Sequence, residues 1–406
     1  MVHEIVIIGG GFGGVRVAKI LAKVNWKKGE KIHLIVIDKN KYHSFHPNFY
    51  EVATAFLPES LKHKEINFHE LFRTSAISFG EIFLENLNVS ILEDEAISVD
   101  FGKKEVFLKS GEKKLYDFLV LSVGSEANYF GIPGLKEKSM PLKELSNALN
   151  IRNALDELFL KSPKNKLLKI VIGGGGFTGC EFAGEVVGYL KTLSQIHHRP
   201  EHYAEVLVVD LAPNLLTSAS PWVQRTAKKR LESLGVKIVL NTSVDKILDF
   251  DFLIWAGGVT ANSFVKNLSG VKLEKSCLVV DSYMRVLPYE NVYGVGDAIY
   301  CLNEKTGRPM PMTASMALRE AKYTAENIKR SVKKIKLVQY QLNFPGFIIP
   351  LGGKYAIFER GSLHFAGLIP WVMKYLVSLN YWISILGLRR GLKIWKKGVK
   401  MFLKND

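Results

Sequence analysis

Ile5-Val6-Ile7-Ile8-Gly9-Gly10-Gly11-Phe12-Gly13-Gly14-Val15-Arg16-Val17-Ala18-Lys19-Ile20-Leu21 joins an apolar strand, a glycine cluster and the opening of a helix in one unbroken run. Ile170-Val171-Ile172-Gly173-Gly174-Gly175-Gly176-Phe177-Thr178-Gly179-Cys180 repeats the plan, with Gly9 and Gly174 in corresponding places 165 residues apart. Each copy is followed by a second apolar strand that ends in an acid, Ile32 to Asp38 and Glu205 to Asp210. Strand, glycine turn, helix, strand is the start of a doubly wound parallel sheet. The fold class expected is therefore α/β, with two Rossmann-like dinucleotide-binding domains.

The spacing Gly9-x-Gly11-x-x-Gly14 has a physical reason. A pyrophosphate needs a tight turn, bare backbone against which to lie, and a helix packed close to the sheet whose amide end is partly positive. Asp38, at the end of the next strand, is placed to accept hydrogen bonds from ribose hydroxyls. Gly174-x-Gly176-x-x-Gly179 has the same context, with Asp210 as its acid. Leu211-Ala212-Pro213 follow Asp210 and offer no cation to a 2′-phosphate, which favours NADH over NADPH. Two modules call for two dinucleotides, and the economical pairing is a bound FAD with an exchangeable nicotinamide.

Composition bounds the rest. With 406 residues, 47% hydrophobic and 23% charged, the chain can build more than one core and is not a disordered polymer. Three cysteines, Cys180, Cys277 and Cys301, make no disulfide framework and suit a reducing compartment. No signal peptide is read at the N-terminus. The net charge is +16, of which +7 lies in Ala366 to Asp406, so the basic character is concentrated at one end instead of forming a nucleic-acid surface. Further strands are expected at Phe118 to Ser122, Phe252 to Trp255 and Val292 to Val295, and a helix at Ala314 to Arg330 capped by Thr313. The expected organisation is 1–143 and 281–336 as an FAD-binding domain in two parts, 144–280 as an NADH-binding domain, and 337–406 as a C-terminal membrane-attachment region.

In the tail, Gly367 to Leu388 carries a single charge, Lys374. After it, Leu388, Leu392, Trp395, Val399 and Phe402 recur at helical spacing, while Arg389, Arg390, Lys393, Lys396, Lys397, Lys400 and Lys404 fill the other face. That pattern reads as a basic amphipathic helix lying on an anionic lipid surface, with Trp371, Trp382 and Trp395 as interfacial anchors. A homodimer interface is the alternative use of the apolar stretch.

Six blocks of the chain resemble the type II NADH dehydrogenases, single-subunit NADH:quinone oxidoreductases with a disulfide-reductase-like flavoprotein fold. The blocks are Val6 to Gly14, Asn40 to Thr54, Ser122 to Leu135, Gly174 to Glu185, Trp255 to Asn262 and Val292 to Ala298. The resemblance implies a peripheral (monotopic) enzyme of respiratory electron transport at the cytoplasmic face of the cell membrane. Its cofactors would be FAD and NADH, its acceptor a membrane quinone, and it would not pump protons. FAD contacts are implied at Gly9, Gly11, Phe12, Gly13, Gly14, Asp38, Lys39, His43, Gly124, Gly296, Asp297, Thr313 and Ala314. NADH contacts are implied at Gly174, Gly176, Thr178, Gly179, Asp210 and Gly257. Glu181 matches a glutamate beside the reacting rings. The helix after Thr313 departs from the family pattern, because Ser315 and Arg319 stand where two glutamines line the quinone site. Those two residues are the catalytic candidates with Glu181, and no metal is called for. Two alternatives remain: a sulfide:quinone oxidoreductase, for which Cys180 at a helix N-terminus would be the thiol to watch, and a flavin-binding redox sensor with little turnover.

Overall fold

The computed structural model describes residues 2–26, 31–55, 68–200, 202–247, 249–302, 307, 310–341 and 344–403. It divides into two compact units. The first comprises Met1–Ser44, Ile77–Glu126 and Val259–Pro345, and the second Phe45–Ala76, Ala127–Gly258 and Gly346–Asp406.

The first unit is built on a five-stranded parallel sheet in the order Val292–Gly294, Phe118–Leu121, Val2–Ile8, Lys31–Asp38, Val89–Glu93. Its central strand is the one that leads into the first glycine cluster. Ile5, Val6 and Ile7 are wholly buried, as a parallel strand covered on both faces requires. The helices Phe12–Ala22 and Ala314–Val332 pack together in this unit.

The second unit repeats the design: Met140–Pro141, Phe252–Trp255, Leu168–Gly173, Ala204–Val209, Lys237–Val239, again parallel and again with the glycine strand at the centre. The α/β class and both Rossmann-like sheets are thus present as expected. From Gly346 the chain adds an antiparallel sheet, Phe347–Pro350, Ala356–Arg360 and Leu363–Gly367, to this same unit. Gly184, in the helix Phe177–Ile196, allows that addition, since a Cβ there would lie 2.5 Å from the carbonyl carbon of Leu351. Arg230 fastens it by donating to the carbonyls of Leu351 (3.1 Å) and Gly352 (2.6 Å).

Two helices end the described chain, Leu368–Leu386 and Leu388–Phe402, turning at Gly387 with φ +79°. They fold back on one another as a hairpin. Gly391 permits the close crossing, for a Cβ would sit 2.7 Å from the Ile383 nitrogen. This corrects the reading of the amphipathic seam for some of its residues. Trp395 donates its indole N–H to the Tyr375 carbonyl at 2.8 Å, and Trp395 and Val399 pack on Ala356, Trp371 and Tyr375. Phe402, Trp371 and Trp382 are buried. Trp371, Trp382, Trp395, Val399 and Phe402 are spent on packing within the second unit, because a folded apolar neighbour competes with lipid for the same face, whereas Leu388 stays 62% exposed. The apolar surface left outward lies mainly on the first helix, at Leu368, Ile369, Val372, Leu376 and Val377, with Leu388 at the start of the second. Among the described residues no helix is long and apolar enough to cross a membrane. Lys404, which belongs to the expected basic face, lies outside them.

Candidate dinucleotide sites and a buried charge cluster

The two glycine turns have the same construction. Gly9 has φ +100° and Gly174 φ +115°, conformations that a side chain strains. A Cβ at Gly9 would fall 2.3 Å from the Ser122 carbonyl oxygen, and one at Gly174 2.4 Å from that of Ala256. The third glycine of each motif seats the helix on the turn, since a Cβ at Gly14 or Gly179 would lie 1.9 Å from the carbonyl oxygen of Gly9 or Gly174. The middle glycines behave differently. Gly11 and Gly176 are the N-caps of their helices and have no side-chain cap, and a Cβ on either would meet nothing within 4 Å. Each helix therefore begins with unsatisfied amides facing open space, which suits an anionic pyrophosphate.

The two acids share a further task that spacing did not reveal. Asp38 accepts from the backbone N–H of Gly10 at 2.7 Å and of Asn40 at 2.8 Å. Asp210 accepts from Gly175 at 2.5 Å and Ala212 at 2.7 Å. Each carboxylate thus ties the end of its strand to the glycine turn while keeping lone pairs for a ribose. Burial raises the Asp38 pKa, opposed by the bonds from Asn40 and Gly10. His43 is buried and supports the same turn, its Nδ1 lying 3.0 Å from the Gly10 carbonyl. Desolvation pushes its pKa down to about 4, so at neutral pH the ring is uncharged and Nδ1 carries the donated hydrogen. Phe12 packs edge-on against it at 5.1 Å.

The remaining candidates fall into the two units as follows. In the first, Gly13 abuts Val295, Gly124 takes a positive φ of 71°, and Lys39 is exposed beside Asp38. Asp297 accepts from the Ser125 hydroxyl at 2.6 Å. Thr313 caps the helix Ala314–Val332, accepting from Met316 N–H at 3.3 Å, and its hydroxyl lies 3.1 Å from that of Ser315. Ser315 and Arg319 are half-buried on the first turns of this helix. In the second unit Thr178 is exposed at the helix start, and Gly257 underlies the Trp255 ring, which a Cβ would strike at 2.2 Å. Cys180 departs from its expectation. It is fully buried, its thiol is turned to the Gly175 carbonyl at 3.4 Å, and burial drives its pKa up, so the helix terminus does not make it a thiolate.

Two features went unread in the sequence. Glu320 is buried in the first unit and accepts from Gly296 N–H at 2.8 Å, directly before Asp297. Burial raises its pKa to about 7. The available signal was an acid in the buried helical stripe Met316, Ala317, Glu320, Ala321. In the second unit Lys374 donates to Glu51 at 2.7 Å and to the Tyr50 hydroxyl at 3.0 Å, with Glu181 and Glu185 in the electrostatic neighbourhood. Its signal was a lone charge within 22 otherwise uncharged residues. Glu181, partly buried, has its pKa pushed up to about 8 by desolvation, with Lys374 opposing and Glu51 reinforcing the rise.

One dinucleotide-type turn in each of two parallel-sheet units defines a pyridine-nucleotide oxidoreductase of the two-module class. The chain belongs to the pyridine nucleotide-disulphide oxidoreductase family, whose signature matches residues 3–321. Among its relatives, the type II NADH:quinone oxidoreductase of Haemophilus influenzae is 25% identical over 89% of this chain and 87% of its own length. The type II NADH:quinone oxidoreductase NdhA of Mycobacterium tuberculosis is 24% identical over 94% and 84%. Two solved structures share the fold. NDH2 from Plasmodium falciparum in complex with NADH superposes with a TM-score of 0.80 at 18% identity, covering 99% of each chain. The sulfide:quinone oxidoreductase of Aquifex aeolicus gives 0.75 at 19%, covering 99% of this chain and 96% of that one.

Proposed function

We propose that the protein oxidises NADH and delivers the electrons through FAD to a membrane quinone, without pumping protons. The observation that carries this reading is the duplicated glycine turn, each copy with an open, uncapped helix start and an acid bonded into the turn. The curated relatives bearing the name type II NADH:quinone oxidoreductase support it across most of the chain.

The first unit's residues fit FAD. The Gly9–Gly14 turn and the amides behind Gly11 would hold the pyrophosphate, Asp38 a ribose, and Asp297, steadied by Ser125, the ribityl and phosphate portion. When bound, FAD supplies the hydride acceptor and the electron carrier. The Thr313-capped helix presents its positive end, which favours negative charge within reach of its first turn. In the second unit the Gly174–Gly179 turn and Asp210 would hold NADH. Glu181 keeps its proton at neutral pH and can give it up to a reacting oxygen. Ser315 offers a hydroxyl and Arg319 a permanent cation to the acceptor.

Attachment to the membrane rests on the outward face of Leu368–Leu386 together with the exposed Arg389, Lys393, Lys396, Lys397 and Lys400 of the next helix. Apolar side chains that enter the interface, flanked by cations that meet anionic head groups, describe a peripheral contact. The sulfide reading loses support because the Cys180 thiol is buried and protonated.

Mixing the flavin-loaded protein with NADH under anaerobic conditions tests the proposal. Bleaching of the flavin band, reversed by a short-chain quinone, is the expected result. Absence of bleaching by NADH overturns it, and bleaching by sulfide instead would select the sulfide-oxidising alternative.

A further inference from the structure

The turn from Tyr129 to Ile132, in the second unit, carries a side chain that its own backbone does not favour. The Ile132 amide donates to the Tyr129 carbonyl at 3.0 Å, and the two residues between have positive φ, 52° at Phe130 and 69° at Gly131. A turn of this hand favours Asn, Asp or Gly at its first central position, because a bulky side chain is strained there. Phe130 holds that position and gains little from burial, since it is 61% exposed. Its neighbour Tyr129 is directed inward instead, stacked on Trp255 at 6.3 Å in the core around Leu135 and Val171.

The turn is fixed to the segment that follows the strand Phe252–Trp255. The Trp255 indole N–H donates to the Asn128 carbonyl at 2.8 Å, and the Asn128 amide donates to the Gly258 carbonyl at 3.1 Å. The Phe130 amide donates to the Asn128 side-chain oxygen at 2.9 Å. So held, the Phe130 ring stands edge to face with Trp255 at 6.4 Å, and 3.6 Å from where a Cβ on Gly258 would lie. Gly257 is so close to the second glycine turn that a Cβ on Gly174 would fall 2.5 Å from its Cα. An exposed aromatic ring therefore stands at the rim of that turn. Strand order decides which half of a dinucleotide it meets. Asp210, after Ala204–Val209, lies on one side of the glycine strand Leu168–Gly173, and Trp255 lies on the other. The acid takes the adenosine ribose and the pyrophosphate crosses at the glycines, so the nicotinamide riboside extends towards Trp255.

We propose that Phe130 is a binding residue for the nicotinamide end of NADH, its ring forming an outer wall against which the nicotinamide riboside packs. This rests on the NADH reading of the second unit and adds to it a residue outside the glycine motif. Gly257 and Gly258 supply bare backbone beside the ring. Contact between two flat rings removes both faces from water, and the turn holds the phenyl group outward before the ligand arrives, so little ordering is lost on binding. The strained backbone at Phe130 is the cost of presenting the ring there.

The test titrates the flavin-loaded protein by calorimetry with NAD⁺ and, separately, with ADP-ribose, which keeps the adenosine and pyrophosphate but lacks nicotinamide. Phe130→Ala should weaken NAD⁺ roughly tenfold and leave ADP-ribose within about twofold of the parent. Phe130→Tyr keeps the ring and should bind both ligands as the parent does, whereas Phe130→Leu should lose NAD⁺ affinity with Phe130→Ala. Melting curves give a readout of opposite sign. Phe130→Gly relieves the positive φ, so it should melt above the parent while it too binds NAD⁺ more weakly. The proposal is overturned if Phe130→Ala changes neither ligand or changes both alike, or if melting temperature and NAD⁺ affinity fall in step across all four variants. A parent that binds neither NAD⁺ nor ADP-ribose would sink the NADH reading and this wall with it. A parent that binds both, with Phe130→Ala unchanged, sinks the wall alone.

Discussion

Glu320→Gln is expected to stabilise the first unit at alkaline pH, against the usual cost of altering a buried polar residue. Glu320 is only 3% exposed and accepts from Gly296 N–H at 2.8 Å, beside Asp297. Burial, the largest influence, raises its pKa from 4.5 to about 7. A carboxyl whose folded pKa lies above its unfolded value binds more protons when folded. The folded state therefore gains nothing extra above about pH 7 and loses stability as pH climbs from the unfolded to the folded pKa. At about 1.4 kcal/mol per unit, the loss between pH 4.5 and 7 is roughly 3 kcal/mol, an upper figure for so buried a group. Glutamine keeps an oxygen for the Gly296 amide and has no proton to lose. At pH 8 the variant should melt above the parent, by roughly 6–12 °C for a unit of this size, whereas at pH 5 the two should nearly coincide. Glu320→Ala removes the acceptor and should lose about 1–3 kcal/mol at pH 5. Thermal melting of the flavin-free and flavin-loaded protein at both pH values gives the comparison. A Glu320→Gln variant equally destabilised at pH 5 and pH 8 refutes the reasoning, for it would mean that shape alone and not ionisation sets the contribution.

Three further outcomes follow from the geometry. Asp210→Arg should lower the preference for NADH over NADPH and also destabilise the second glycine turn, because Gly175 and Ala212 lose their acceptor. The ratio of kcat/KM values for the two nucleotides and a melting curve read the two effects, and an unchanged ratio counts against Asp210 as the ribose residue. Cys180 should resist alkylation in the native protein, and Cys180→Ala should leave NADH-dependent flavin reduction within about twofold of the parent. Rapid labelling at neutral pH would contradict a buried thiol. Val372→Asp with Leu376→Asp, on the outward face of Leu368–Leu386, should weaken flotation with anionic vesicles without lowering the melting temperature, and undiminished flotation would remove this face as the lipid contact.

The fold was legible because a glycine turn is a local device. Gly9, Gly14, Gly174 and Gly179 must be glycine for reasons of backbone geometry, so the demand is written in the residues themselves. What the sequence concealed is what depends on pairing between distant segments. Asp38 and Asp210 are read as ribose acceptors, and nothing in their spacing says that each also holds its own turn closed. Glu51 and Lys374 stand 323 residues apart, and only the fold places a 2.7 Å bond between them. Cys180 shows the converse error. Its position at a helix start predicts an acidic thiol, but desolvation outweighs the dipole once the side chain is turned inward.

The tail illustrates the same competition at larger scale. Periodicity identifies an amphipathic helix but not what covers its apolar face, and a folded neighbour satisfies that face as well as lipid does. Here the helix Leu388–Phe402 spends Trp395 and Val399 on Trp371 and Tyr375 of Leu368–Leu386, whose own surface is two-sided. At 100° per residue, Val372 and Leu376 lie about 160° from Lys374, on opposite sides of that direction, so the outward apolar face and the buried ammonium occupy opposite sides of one helix. A rotation of this helix that buried more of Val372 and Leu376 in lipid would carry Lys374 with it and lengthen its bonds to Glu51 and Tyr50. The proposed lipid contact and the buried ion pair are therefore mechanically one element, and a membrane that reseats the helix must act on the Lys374–Glu51 bond. Comparing the melting temperatures of the parent and Lys374→Met with and without anionic vesicles separates a rigid anchor, for which their difference stays fixed, from one whose seating reaches the ion pair.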